Sequence, residues 1–381
     1  MEIYNKELEI QGNNELCQSV KKINIKAQLG KIYAIDSFGA FMIAGASWVA
    51  LLAARGFSTL EIGWFESIFH VVSMICEVPS GAVSDVFGRK KSMVLAQIMS
   101  MLSAMIMIFT DSFISIAFAM GVSALSYNLA SGTREALAYD SMKKAGVEKN
   151  YEDFFSKDMI IYEIFSSLAT LLAGVALMLG YRRAYLVDII IGSVALVFAL
   201  SLTEVHAEGH ESMEVAGRFK EVAIGSIKFL KENRKARLII LFNAAIGAVA
   251  VLIAFFMQAK LPEVGLRPVL LGPALFVIGL SGALGSKTVT FFNKLGYRTI
   301  GLISFLGVVL AFASVFVGNP YVMIVGACIG SFADSFIEIR SDVVLNDMIP
   351  SGQRATLMSV NSFTYSVIMI LLSPVFGWIF G

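Results

Sequence analysis

The chain has 381 residues, of which 57% are apolar and only 15% charged, with a mean hydropathy of +0.74. Soluble proteins run nearer 45–50% apolar and about 25% charged, and water would demand a core larger than one domain supports, so lipid is the expected solvent. A net charge of +1 excludes the concentrated basic field of a nucleic-acid binder, and Cys17, Cys76 and Cys328 are too scattered for a disulfide framework or a CxxC metal site.

The polar N-terminal segment 1–31 lacks the apolar run of a signal peptide and reads as a cytoplasmic tail. Apolar runs then recur, each long enough to cross about 30 Å of hydrocarbon as a helix. They fall near 32–54, 61–84, 92–110, 112–133, 159–179 and 184–202, then near 238–259, 269–291, 299–317, 321–339 and 355–379. The expectation is an all-α membrane protein of about eleven spans, a six-helix bundle over 32–202 and a five-span bundle over 238–381. Between them the polar stretch 203–237 reads as a cytoplasmic linker, and Phe219, Val222, Ile227 and Leu230 recur helically among its basic residues. That pattern predicts an amphipathic helix on the membrane surface. Most of the 30 Lys and Arg fall in segments sharing a side with the N-terminus, which predicts that the N-terminus is cytoplasmic. Trp48, Trp64 and Trp378 fall near the outer ends, where an aromatic belt belongs.

Between the second and third spans the chain reads GAVSDVFGRKK, with Gly81, Asp85, Gly88, Arg89, Lys90 and Lys91 at fixed spacing. Gly81 leaves room for a neighbouring helix. Asp85 is suited to accept hydrogen bonds from a helix N-terminus, and Arg354, at the start of the last span on the same side, is its expected ion-pair partner. Gly88 permits a turn, while the three cations are expected to face the anionic leaflet. The spacing resembles the loop 2–3 signature of the major facilitator superfamily. EVPSG from Glu77, SGTREALAYDSM from Ser131 and LNDMIPSGQRATLMS from Leu345 resemble a bacterial, drug-efflux-like branch of it. The resemblance covers nearly the whole chain from about residue 30. It implies two helical bundles that alternate in access, with Asp85 latching them on the cytoplasmic side. Topology anchoring alone is the plainer role for the same residues. Two departures stand out: the fourth span has no Arg before Arg134, and FFNKLGYRT in the second half has no acidic residue. The family folds as six plus six spans, whereas the last run here ends beside Trp378 and Gly381. A missing twelfth span and an extracellular C-terminus are therefore expected.

Ionisable groups within spans are costly and are functional candidates by default. Glu77, two residues before Pro79, is expected deep enough to be desolvated and is a proton-coupling candidate, or else a packed hydrogen-bonding group. Asp36 in the first span and Asp334 in the tenth are further proton-coupling candidates, although interfacial solvation would also account for Asp36. Glu66, with His70 one turn on, reads either as a proton relay or as one satisfied hydrogen bond. Glu163 and Lys287 lie close enough to the cytoplasm for ordinary solvation or snorkelling. Tyr127, Asn128, Asn243, Asn361 and Tyr365 are candidates to line a substrate cavity. The methionines of the third span suit either an adaptable cavity or lipid contact.

Two apparent motifs carry little. GLSGALGSKT looks like a phosphate loop, but Ser286 interrupts the G-K-[ST] step, and Gly279, Gly282 and Gly285 read as helix-packing positions. TEVHAEGHE sets His206 and His210 among carboxylates in a linker, where a solvated tether is favoured over a metal site. The chain has no ATP-binding motif, no cofactor signature and no catalytic constellation. The expected function is proton-driven export of small amphiphilic or drug-like molecules by a monomer in the plasma membrane. Proton-coupled uptake of a metabolite, a non-transporting relative and a membrane enzyme are the alternatives.

Overall fold

The computed structural model describes residues 24–205, 224, 228–229, 231–292, 295–348 and 354–381, and the statements below concern these. Most of the predicted surface helix, including Phe219, Val222, Ile227 and Leu230, lies outside the described residues, as do His206 and His210.

The first predicted span is made of three helices, α1 (Ile25–Ala40), α2 (Ile43–Ala46) and α3 (Trp48–Ala54). After it come α4 (Thr59–Phe87), α5 (Arg89–Phe109), α6 (Phe113–Ala130), α7 (Thr133–Lys144), α8 (Tyr151–Leu171), α9 (Ala173–Leu179) and α10 (Tyr181–Ser201). The second half comprises α11 (Arg234–Glu263), α12 (Leu271–Thr288), α13 (Tyr297–Ser314), α14 (Pro320–Met348) and α15 (Arg354–Phe380). Among the described residues nine helices are long and apolar enough to cross a membrane, and α8 with α9, bent by 46°, makes a tenth. The first predicted span, broken into three shorter helices, is not among them, so up to ten of the eleven expected spans are found among the described residues.

Local chemistry explains the boundaries. Ser58 and Glu61 form a reciprocal capping box at the start of α4: the Ser58 hydroxyl accepts from the Glu61 N–H at 3.2 Å, and the Glu61 carboxylate accepts from the Ser58 N–H at 2.8 Å. Gly88, at φ +103°, separates α4 from α5 as the spacing predicted. The break after Ala40 frees N–H groups that an intact helix would satisfy. Asp188 of α10 takes two of them, accepting from Ala44 at 3.2 Å and from Gly45 at 2.9 Å.

We call the side where α1 begins the near face and the other the far face. A buried apolar core from both halves, including Leu51, Phe65, Phe256, Leu271 and Phe380, joins them toward the far face. The other buried clusters each stay within one half. At the far-face seam the backbones nearly touch. A Cβ on Gly63 would lie 2.3 Å from the Ser373 carbonyl oxygen, one on Gly174 2.3 Å from that of Pro268, and one on Gly272 1.9 Å from that of Leu171. Small residues allow this closeness, as in other membrane bundles. On the same face Arg55 binds Asp111 at 2.8 Å and the Thr110 carbonyl, with its guanidinium 4.0 Å from the centre of the Tyr181 ring. The Arg55 hydrogen bond holds the Asp111 carboxyl below the usual carboxylate range.

Of the glycines assigned to packing, Gly282 meets Ser331 and Ser335 and Gly285 meets the Phe332 backbone, whereas Gly279 has nothing near it. Gly81, expected to admit a neighbouring helix, likewise faces open space.

Candidate functional site

Two cavities lie on the near side of the apolar seam, one in each half. The second-half cavity, about 580 Å³, is lined by Asn243 and Gly247 of α11, Asp334, Glu338 and Asp342 of α14, and Asn361, Ser362 and Tyr365 of α15. Three of its carboxylates stand at i, i+4 and i+8 on α14, one above another on one helix face. Asp334 and Tyr365 are neighbours, because a Cβ added to Gly247 would lie 3.2 Å from Asp334 Oδ1 and 3.8 Å from Tyr365 Cε2. The Asn243 side-chain oxygen is buried without a hydrogen-bond partner.

Tyr365 reaches across to the first half. Its ring centre is 5.9 Å from that of His70, and His70 Nε2 is 3.2 Å from Glu66 Oε1. Glu66 is 7% exposed. Asp334, Tyr365, His70 and Glu66 thus form a polar line between the bundles, at the cavity side of the seam. Glu77 is not part of it. It lies on α4 eleven residues from Glu66, or about 16 Å along the axis.

The first-half cavity, about 400 Å³, is lined by Asp36, Tyr127, Arg134, Glu135, Tyr162 and Gln97, with Met42, Met93 and Met159. Asp36 is not solvated at an interface. It is 7% exposed and ion-paired to Arg134, whose Nε lies 3.3 Å from Asp158 Oδ2. One guanidinium therefore holds carboxylates from α1 and α8, tying both helices to α7. Arg134 lies one turn beyond α6, and the sequence reading overlooked its pairing with these two carboxylates. Asn128 does not behave as a cavity residue. It is 6% exposed and exchanges hydrogen bonds with Ser73, donating to its carbonyl at 2.6 Å and accepting from its hydroxyl at 2.9 Å.

In the loop 2–3 motif, Arg89 does not face the leaflet. It is 7% exposed and binds Asp140 and the Ala136 carbonyl of α7, while Lys91 is exposed as expected. Glu204 accepts from the Lys90 N–H at 3.2 Å, an anion at the N-terminus of α5. A Cβ on Gly88 would sit 2.6 Å from its carboxylate. The side chains of Asp85 and Arg354 lie outside the described residues.

The sequence reading also passed over Asp158, Asp188, Gln258, Glu338 and Asp342. Helical spacing from Asp334 would have found Glu338 and Asp342, and the rule that charges inside spans are functional candidates would have found Asp188. Asp158 and Gln258 have no local signal, because their partners lie on distant helices.

Two helical halves, each with its own cavity and joined along one seam, have the architecture of a membrane transporter. The chain belongs to the major facilitator superfamily, whose sequence pattern matches residues 32–374. It is accordingly a multi-pass secondary transporter of small molecules and not an enzyme. It is 24% identical over 345 residues to YxaM of Bacillus subtilis (strain 168), an uncharacterized MFS-type transporter, covering 87% of this chain and 83% of that one. Its fold is similar to that of the nucleoside transporter NupG, with a TM-score of 0.74 at 16% identity, covering 92% of this chain and 90% of that chain. A POT family transporter in complex with 5-aminolevulinic acid gives 0.67 at 11% identity, with 92% and 90% covered.

Proposed function

We propose that this protein exports small amphiphilic organic cations from the cytoplasm in exchange for protons, with the near face cytoplasmic and open in the state described. The observation that carries the reading is the stack of Asp334, Glu338 and Asp342 in a cavity that also offers Ile240, Ala244, Val251 and the Tyr365 ring, with no Lys or Arg among the described residues of its lining. A carboxylate in a low-dielectric cavity holds a cation strongly, and it holds a proton at the expense of that cation. Competition for one carboxylate makes the two exits alternate, which is exchange. Asp334 is the group in question, since Tyr365 connects it to the Glu66–His70 pair on the other half and so links its charge to the interface that must open.

The positive-inside bias supports the orientation. The Asp85 latch belongs to the same reading: when the near face closes, Asp85 engages the start of α15 at Arg354, and its release reopens that face.

The test uses everted membrane vesicles carrying an imposed proton gradient and a fluorescent lipophilic cation. The parent should accumulate the dye and release it when the gradient collapses. Asp334→Asn should abolish accumulation while the protein remains at normal abundance. Accumulation at the parent rate by the Asn variant would overturn the reading, and substrate moving with protons would replace export by uptake.

A further inference from the structure

The second break in the first span is bridged by the other half of the molecule. At Ser47 the chain leaves the helical region, with φ −123° and ψ 23°, so α2 ends at Ala46 and α3 begins at Trp48. In an uninterrupted helix the Ala50 N–H would donate to the Ala46 carbonyl four residues earlier. Here the side-chain amide of Gln258, on α11, stands between those two groups. Its nitrogen donates to the Ala46 carbonyl at 3.2 Å, and its oxygen accepts from the Ala50 N–H at 3.4 Å. Gln258 is 6% exposed and lies beside the apolar seam that joins the halves toward the far face.

We propose that Gln258 is the positioning residue of the far-face gate: its amide takes the place of the Ala46–Ala50 hydrogen bond while the halves are joined, and that bond closes when they part. This inference rests on the alternating-access reading above and adds the element that switches. The geometry makes the exchange cheap. Withdrawing a buried amide would ordinarily strand a carbonyl and an N–H, and buried orphans of this kind are expensive. Ala46 and Ala50 are each other's natural partners, so neither is stranded, and the amide of Gln258 passes to water in the opened crevice.

The first break does not take part. Asp188, which caps α2, belongs to the same half as the first span and moves with it. The pivot is therefore Ser47, and the moving piece is α3, seven residues or about 10 Å long. Opening the far face straightens α3 onto α2 and withdraws it from α11.

Two substitutions act on this exchange in opposite directions. Gln258→Ala removes the bridge and spares the helical bond, so it should favour the far-open state. Ala50→Pro removes the N–H in both states, from Gln258 Oε1 as well as from the Ala46 carbonyl, but only in the straight helix does its ring also clash with that carbonyl four residues back. It falls in the first turn of α3, where proline is tolerated while the break persists, so it should hold the far face closed. Spin labels at Arg183 and Val269, one on each half at the far face, report the populations in the full-length protein with its native cysteines replaced. The parent should show two distances whose weights respond to pH. Gln258→Ala should raise the far-open weight about fivefold, the worth of roughly one net hydrogen bond, and Ala50→Pro should reduce it by at least as much. The double variant should behave as Ala50→Pro. Shifts in one direction for both single variants, or no shift in a parent-like two-state background, would overturn the exchange. A single unresponsive distance in the parent would instead refute both the exchange and alternating access.

Discussion

Gly272→Ala tests whether the far-face seam sets the resting state. The added Cβ would lie 1.9 Å from the Leu171 carbonyl oxygen, 2.6 Å from its carbon and 3.2 Å from the Thr170 oxygen. Contact of this kind relaxes at about 3.3 Å, so α12 must retreat from the end of α8 by roughly 1.4 Å. No rotamer relieves the clash, because the obstacle is helix backbone. Overpacking of this sort typically costs about 1–3 kcal/mol, which lowers the population of the closed seam by about 5- to 150-fold relative to the far-open state. A cysteine at Ser362, exposed in the second-half cavity, reads the outcome through its reaction with an impermeant thiol reagent applied to each side of oriented vesicles. Reaction from the near side should fall and reaction from the far side should rise. Gly279→Ala is the control: it lies on the same helix and gains the same helix propensity, but its Cβ meets nothing within 4 Å. Equal labelling of Gly272→Ala, Gly279→Ala and the parent would refute the claim that backbone contact at the seam holds this state.

Arg134→Met should be strongly destabilising, by about 3–5 kcal/mol, since it leaves Asp36 and Asp158 buried without their shared cation. Thermal unfolding in detergent measures this, and the triple variant with Asp36→Asn and Asp158→Asn should recover most of the loss. Gly88→Ala should lower stability and slow transport together, because φ +103° strains any other residue and its Cβ displaces Glu204 from the start of α5; Glu204→Gln, which keeps the shape and loses the charge, should have a smaller effect on unfolding temperature. The Arg55–Asp111 pair predicts a pH dependence of known sign. With the Asp111 carboxyl held low by Arg55, the pair's contribution is complete above the usual carboxylate range and disappears as pH falls through the lowered value. The stability difference between the parent and Asp111→Asn should stay constant on acidification until that range is reached and narrow below it.

The all-helical fold and membrane residence were legible in the chain because both depend on runs of about twenty residues read locally. The Gly88 turn was legible for the same reason, since a backbone at positive φ asks for glycine wherever it occurs. Helical periodicity along α14 also contains the Asp334–Glu338–Asp342 stack, which needed only to be counted. What the tertiary structure decided is which polar groups meet. Asp36 reads alone as a carboxylate near an interface, and becomes an ion-pair partner only when α7 brings Arg134 to it, 98 residues away. Asn128 looks like a cavity residue until Ser73 of α4 satisfies it. Arg89, one of three adjacent cations, turns inward because α7 offers Asp140. The breaks in the first span lack any proline, and although Gly39, Gly45 and Ser47 lie beside them, what stabilises them, Asp188 and Gln258, comes from α10 and α11. A buried polar group takes its role from the partner that satisfies it, and across a helical bundle that partner is set by packing rather than by spacing along the chain.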